Sequence, residues 1–159
     1  MNTDVTQTLD NFGIRYIIKK HQNEVFTCED AARERGVALS QILKCMVGKD
    51  TTGITHVMLI PGDRKLKIKK VRGIAGSIRI DLIPPGQLFE EFGLTVGAIS
   101  PIQFLGKAKF YLDNSVLREK YIDISSGSPD AGVELKTEDL VNLIKPVICD
   151  IISNNNLCT

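Results

Sequence analysis

A mixed α/β or α+β fold is predicted by three features of the chain. Short segments rich in β-branched residues are interspersed with segments of helical period, Gly or Pro punctuates most changes of period, and no repeat, low-complexity tract or linker interrupts the series. A chain of 159 residues with 43% hydrophobic residues suits one compact domain, 1–159, with a sizeable core.

Val5, Leu9 and Phe12 recur at helical spacing before Gly13, which predicts a short opening helix, and Ile14 to Lys19 then reads as a strand closed by His21. Thr27 precedes Cys28 to Gly36, where a hydroxyl cap, early acidic residues, late basic residues and a terminal glycine agree on a helix. Ser40 is placed to cap a further turn through Leu43. Lys44 to Lys49 and Thr55 to Ile60 are expected as two strands flanking the polar turn Asp50 to Gly53, the second stopped by Pro61-Gly62. From Lys65 the period changes: Ile68, Val71, Ile74 and Ala75 share a helical face, with Lys67, Lys69, Lys70 and Arg72 elsewhere.

Ser77 to Asp81 alternates like a strand, and Pro84-Pro85 opens a helix carrying Leu88, Phe89 and Phe92, ended by Gly93. The loop Thr95 to Pro101 comes next, with a glycine and a proline four apart. Glycine permits positive φ and close approach to bare N–H groups, and proline fixes the exit. Strands are expected at Phe110 to Leu112, ending at Asp113, at Tyr121 to Ile124, ending at Ser125, and at Val133 to Leu135 as the last. Thr137 should cap a final helix that Pro146 kinks or splits before Asn154 to Asn156 fray it.

Twenty Lys+Arg against nineteen Asp+Glu give a net charge of +1, so a nucleic-acid contact must come from a local patch, and composition points to no DNA partner. Cys28, Cys45, Cys149 and Cys158 include no C-x-x-C, and with only His21 and His56 they build no zinc spacing, so neither metal nor cofactor is expected. No basic segment followed by an apolar run opens the chain, and no apolar stretch is long enough to span a bilayer. The expected setting is cytoplasmic, away from membranes, with reduced cysteines.

No acid/base dyad or nucleophile elbow stands out, and the glycine-bearing segments 73–76 and 127–132 are not phosphate-binding loops. Lys44 in apolar company either snorkels to the surface or serves as a fixed cation. The basic residues between Lys65 and Arg72 are either a solvated face or a phosphate track. Thr27 can be simply a cap, His21 a strand-end residue, and Asp113 and Ser125 turn formers.

Taken in order, His21, Phe26 to Ala32, Gln41 to Lys44, Ile60 to Leu66, Gly97 to Pro101, Leu112-Asp113, Ser125 to Pro129 and Gly132 to Leu135 resemble the YbaK/EbsC family. These are aminoacyl-tRNA deacylases related to the editing domain inserted in bacterial prolyl-tRNA synthetase. The resemblance implies a curved, mostly antiparallel sheet or barrel-like core surrounded by helices, and hydrolysis of the ester joining a wrong amino acid to tRNA. It places the family lysine on Lys44, holding the substrate's 3′ end, and the carbonyl-polarising loop on Gly97 to Pro101. Lys44, Gly97 and Ser100 are then the expected catalytic set. His21, Thr27, Met46, Ala98, Ile99, Pro101, Asp113 and Ser125 are expected to bind substrate, and Lys67, Lys69, Lys70 and Arg72 to contact tRNA. The implied partners are mischarged tRNA and a synthetase; a non-catalytic tRNA- or synthetase-binding adaptor and a non-tRNA esterase are the alternatives. Some family members carry an aspartate where this chain has Gly132, so that residue's role does not carry over.

Overall fold

The computed structural model describes residues 1–76 and 78–154. Thr3 caps α1 (Asp4–Asn11), accepting from the Thr6 amide at 3.2 Å, and β1 (Tyr16–Lys20) follows. Thr27 caps α2 (Cys28–Arg35), accepting from the Asp30 amide at 3.0 Å, and Gly36 ends it in the left-handed conformation. A 3-10 turn, Leu39–Gln41, leads into the hairpin β2 (Leu43–Asp50) and β3 (Thr55–Pro61). Next come α3 (Ile68–Ile74), β4 (Ile80–Leu82) and α4 (Pro85–Phe92), with Pro85 in the first helical position and Gly93 closing the helix. The second half comprises a 3-10 turn at Pro101–Phe104, β5 (Ala108–Asp113), β6 (Tyr121–Ser125), β7 (Ala131–Lys136), α5 (Thr137–Ile144) and β8 (Val147–Cys149).

Two sheets result. The larger has the order β4-β2-β3-β5-β8, antiparallel where β2 meets β3 and β4, and parallel where β5 meets β3 and β8. The smaller is antiparallel, in the order β1-β7-β6. Alternation sends Val57 and Leu59 of β3, with Phe110 and Leu112 of β5, into one cluster shared with Ile122, Ile124, Val133 and Leu135 of the small sheet. Met58, Ile60 and Tyr111 face the other way, against Val71 of α3 and Ile151. The large sheet is thus covered on both faces, which is why β3 is buried along its whole length and apolar from Val57 to Ile60. A bridge between Ile42 and Asp123 is the point where the sheets touch, and they do not close. Of the two expected alternatives, the mostly antiparallel sheet is the one found, divided in two and not closed into a barrel.

Other expectations shift with local causes. The strand beginning at Ser77 is shorter, starting at Ile80, and Ser77 itself lies outside the described residues, as do Asn155, Asn156 and Cys158. Thr137 does not cap α5; its hydroxyl donates to the Glu119 carbonyl, and Lys136 is the capping residue. Ser40 sits within its 3-10 turn and bonds Glu119 at 2.9 Å. Pro146 neither kinks nor splits the last helix. Lys145 turns left-handed, the helix stops at Ile144, and Val147 to Cys149 form an eighth strand beside β5.

Beneath the β2–β3 hairpin, the buried His56 ring joins the Tyr111 hydroxyl at 2.9 Å and the Asp50 carboxylate at 2.7 Å. Asp50 also accepts from the Thr52 and Ile54 amides, so this polar network pins the turn. Among the described residues no group of three or more His, Cys, Asp or Glu is placed to hold a metal ion, and no helix is long and apolar enough to cross a membrane.

Candidate functional site

The chemistry-bearing loops meet in a cavity of about 140 Å³ where α2, the entrance of β2, the end of β6 and the loop before Pro101 converge. Thr27, Lys44, Gly97, Ile99 and Ser125 all line it, together with Val25, Phe26, Cys28, Ala31, Arg35, Ile42, Leu43 and Cys45. A larger groove of about 690 Å³, lined among others by Phe12, Phe92 and Lys107, holds none of the expected site residues.

Gly97 shapes the loop. Its φ is +86°, and a Cβ there would stand 2.1 Å from the Val25 carbonyl oxygen, so a side chain is barred both by conformation and by space. The Ala98 amide closes a turn onto the Thr95 carbonyl at 3.0 Å, and the Ser100 amide donates to the Gln103 side chain at 2.8 Å. The amides of Gly97 and Ile99 take no hydrogen-bond acceptor among the described residues, and both residues face the cavity. Ser125 straps the loop from below: its hydroxyl lies 3.5 Å from the Gly97 carbonyl as donor and accepts from the Gly127 amide at 3.1 Å.

Lys44 is half-buried on β2, and its Nζ donates to the Arg64 carbonyl at 3.3 Å. Phe26, 56% exposed, stands at the mouth. Burial pushes the Cys45 thiol up to about 12, so it stays protonated and is no nucleophile.

Sequence reasoning missed Arg35. At the end of α2 its only local signal is that of a cation complementing the helix dipole, yet it is 9% exposed and lies over Gly132 in the small sheet. Its Nε donates to His21 Nε2 at 3.1 Å, while His21 Nδ1 donates to the Pro129 carbonyl at 2.9 Å, which together fix the orientation of the ring. Close by, Asp123 is fully buried with no hydrogen-bond partner for either carboxylate oxygen among the described residues. Burial, reinforced by Glu134, raises its pKa to about 7 against the opposing pull of Lys19 and Arg35.

The remaining expected residues lie outside the lining. His21 stands behind Arg35. Met46 packs against the cluster under α3, and Ala98 and Pro101 are buried in the loop and the turn after it. Ser100 is fully buried with its hydroxyl unpartnered among the described residues. Asp113 is buried too, accepting from the Ser115 and Ile151 amides at 3.0 and 2.9 Å and so tying β5 to the segment after β8. Of the basic residues around α3, Lys67 and Lys69 are exposed, whereas Lys70 holds Asp150 and the Ile152 carbonyl, and Arg72 holds the Ile80 carbonyl.

Known proteins resemble this chain in sequence and in shape. Residues 22–143 match the model of the aminoacyl-tRNA editing domain. The proline--tRNA ligase of Thermosipho melanesiensis is 30% identical over 82 residues, 52% of this chain but 14% of the ligase, so the chain spans a small part of that enzyme. The protein of Enterococcus faecalis named "Putative Cys-tRNA(Pro)/Cys-tRNA(Cys) deacylase EbsC" is 24% identical over 125 residues, covering 79% of this chain and 76% of its own. A solved structure described as "a putative trans-editing enzyme for prolyl tRNA synthetase" superposes with a TM-score of 0.80 at 20% identity, over 97% of this chain and 99% of that one, which establishes the shared fold.

Proposed function

This chain belongs to the aminoacyl-tRNA editing domain family, and we propose that it is a trans-editing hydrolase that cleaves the ester between a wrong amino acid and the terminal ribose of tRNA. The observation that carries this reading is the pair of uncommitted amides, Gly97 and Ile99, on a strapped loop inside a small cavity that Lys44 also lines.

An aminoacyl ester is already activated, so positioning and carbonyl polarisation supply most of what hydrolysis needs. The two amides point at the oxygen on which charge grows as water attacks. Such donors are worth roughly 3–4 kcal/mol each where they have been removed from other enzymes. Lys44 holds the acceptor end through phosphate or ribose oxygens. Phe26 offers an exposed aromatic face at the mouth for the terminal base, a contact that tolerates any base. Lys67 and Lys69 remain available for backbone phosphates further out, with Lys70 and Arg72 engaged in holding the protein together. With Cys45 protonated, attack by water rather than by that thiol fits the cavity.

The test is a panel of misacylated tRNAs incubated with the folded protein. Ester hydrolysis of at least one member is expected. Binding of tRNA without turnover of any member would replace the enzyme by the adaptor of the same fold.

A further inference from the structure

We infer that Arg35 reads the side chain of the misattached amino acid and selects a small one bearing an acceptor oxygen, either a hydroxyl or a carboxylate. The inference rests on the editing reading and adds the substrate class to it.

Several independent features aim Arg35 at a ligand. A guanidinium carries five N–H donors in a planar fork. One of them, at Nε, is spent on His21, which is itself fixed by the Pro129 carbonyl. The terminal nitrogens make no hydrogen bond to any described residue. The side chain has room because residue 132 is glycine: a Cβ there would stand 2.0 Å from Nε and 2.2 Å from the central guanidinium carbon. A cation in a largely buried position is costly to keep, and its one nearby acidic neighbour on β6, Asp123, does not pair with it. Burial also lifts Asp123 towards neutrality, which leaves the fork less compensated. The arrangement holds an oriented set of donors at the wall of the cavity.

The position within the cavity indicates what meets those donors. Phe26 at 56% exposure stands on the solvent side of the lining, through which the tRNA must leave, whereas Arg35 at 9% exposure belongs to its buried part with Val25, Ala31 and Ile42. The amino-acid side chain is the part of the substrate that ends there. A volume of about 140 Å³ suits a small residue. The apolar wall from Val25, Ala31 and Ile42 surrounds the stem of such a side chain, and the guanidinium meets its tip. A site built to hydrogen-bond an oxygen discriminates against the isostere lacking it far better than an apolar pocket distinguishes sizes.

The experiment compares esters of one tRNA in matched pairs, Thr against Val, Ser against Ala and Asp against Leu, with the unmodified protein and with Arg35→Met and Arg35→Lys. The oxygen-bearing member of at least one pair is expected to be hydrolysed at least about tenfold faster by kcat/KM. The preferred pair distinguishes hydroxyl from carboxylate. Arg35→Met should collapse that ratio towards one, and Arg35→Lys, which keeps the charge but loses the fork, should give an intermediate ratio. Ratios near one in the unmodified protein overturn the inference. So does an equal loss on all esters in Arg35→Met, as a ribose or phosphate contact would produce, or an unchanged ratio in Arg35→Lys if the methionine variant does not fold. Hydrolysis confined to esters outside these pairs removes the inference and leaves the editing activity standing; no hydrolysis of any aminoacyl ester removes both.

Discussion

Arg35 and Gly132 occupy one space: the guanidinium of the helix residue fills the volume that a side chain on the strand would need, 2.0 Å from an idealised Cβ. Gly132→Ala should therefore displace Arg35 rather than strain the strand, because the backbone there has no left-handed φ. A loss of about 1–3 kcal/mol is expected by urea denaturation, and combining it with Arg35→Ala should cost less than the sum of the two single changes. Additive losses would separate the two residues.

Gly97→Ala meets a different obstacle, a φ of +86° and a backbone oxygen that cannot swing aside. The loop must deform, and on the proposed reading its amides then move away from the reacting carbonyl. A drop of about 10²–10³ in kcat is expected in deacylation assays, with little change in the far-ultraviolet circular dichroism.

Lys44→Ala should lose most turnover while keeping the fold, since the side chain is only half-buried at the β2 entrance. Single-turnover kinetics against thermal melting separates the two effects. Unchanged turnover would remove Lys44 from the site.

Asp123 gives a pH dependence of definite sign. Its folded-state pKa, about 7, lies above the ordinary value of about 4. Between these the folded state holds a proton that the unfolded chain has released, so stability falls as pH rises through this window. Asp123→Asn should remove that slope, reducing the difference in unfolding free energy between pH 5 and pH 8 by roughly 1–3 kcal/mol. Denaturant titrations at the two pH values measure it.

Asp50 has the opposite sign. Hydrogen bonds from His56 and Thr52 hold its carboxyl well below the usual carboxylate range. Its stabilisation is complete above the unfolded pKa near about 4 and is lost as the pH falls through the lower folded value. Asp50→Asn should flatten the acid limb of a stability-against-pH curve, and a limb of unchanged steepness would count against the network.

Much of the candidate cavity's lining was legible because its signals are local. Thr27 announces a cap, Gly97 a turn, and Lys44 an anomalous charge in apolar company, and none of these depends on a distant residue. Asp113 and Ser125 looked alike as strand-end polar residues; only the three-dimensional arrangement makes one a buried tie and the other a cavity wall. Met46 lies two residues beyond Lys44 and shares its face of the strand, but it is absorbed by the cluster under α3. Arg35 was invisible because a basic residue in the last turn of a helix needs no further explanation, and the glycine that makes room for it is nearly a hundred residues away. The eighth strand was hidden behind Pro146, whose helix-breaking character marks where a helix stops and carries no signal for the strand beyond it.

The pairing of β1 with β7 joins Tyr16 to Leu135 and Lys20 to Ala131. The segment bearing Phe26, Thr27 and Arg35 comes directly after that strand, so one wall of the cavity hangs on a partner made more than a hundred residues later. During synthesis from the ribosome the N-terminal strand must wait, unpaired, until most of the chain has emerged. Such long-range closure is slow compared with local pairing. The β2–β3 hairpin can form early, but the cavity is among the last features to be assembled.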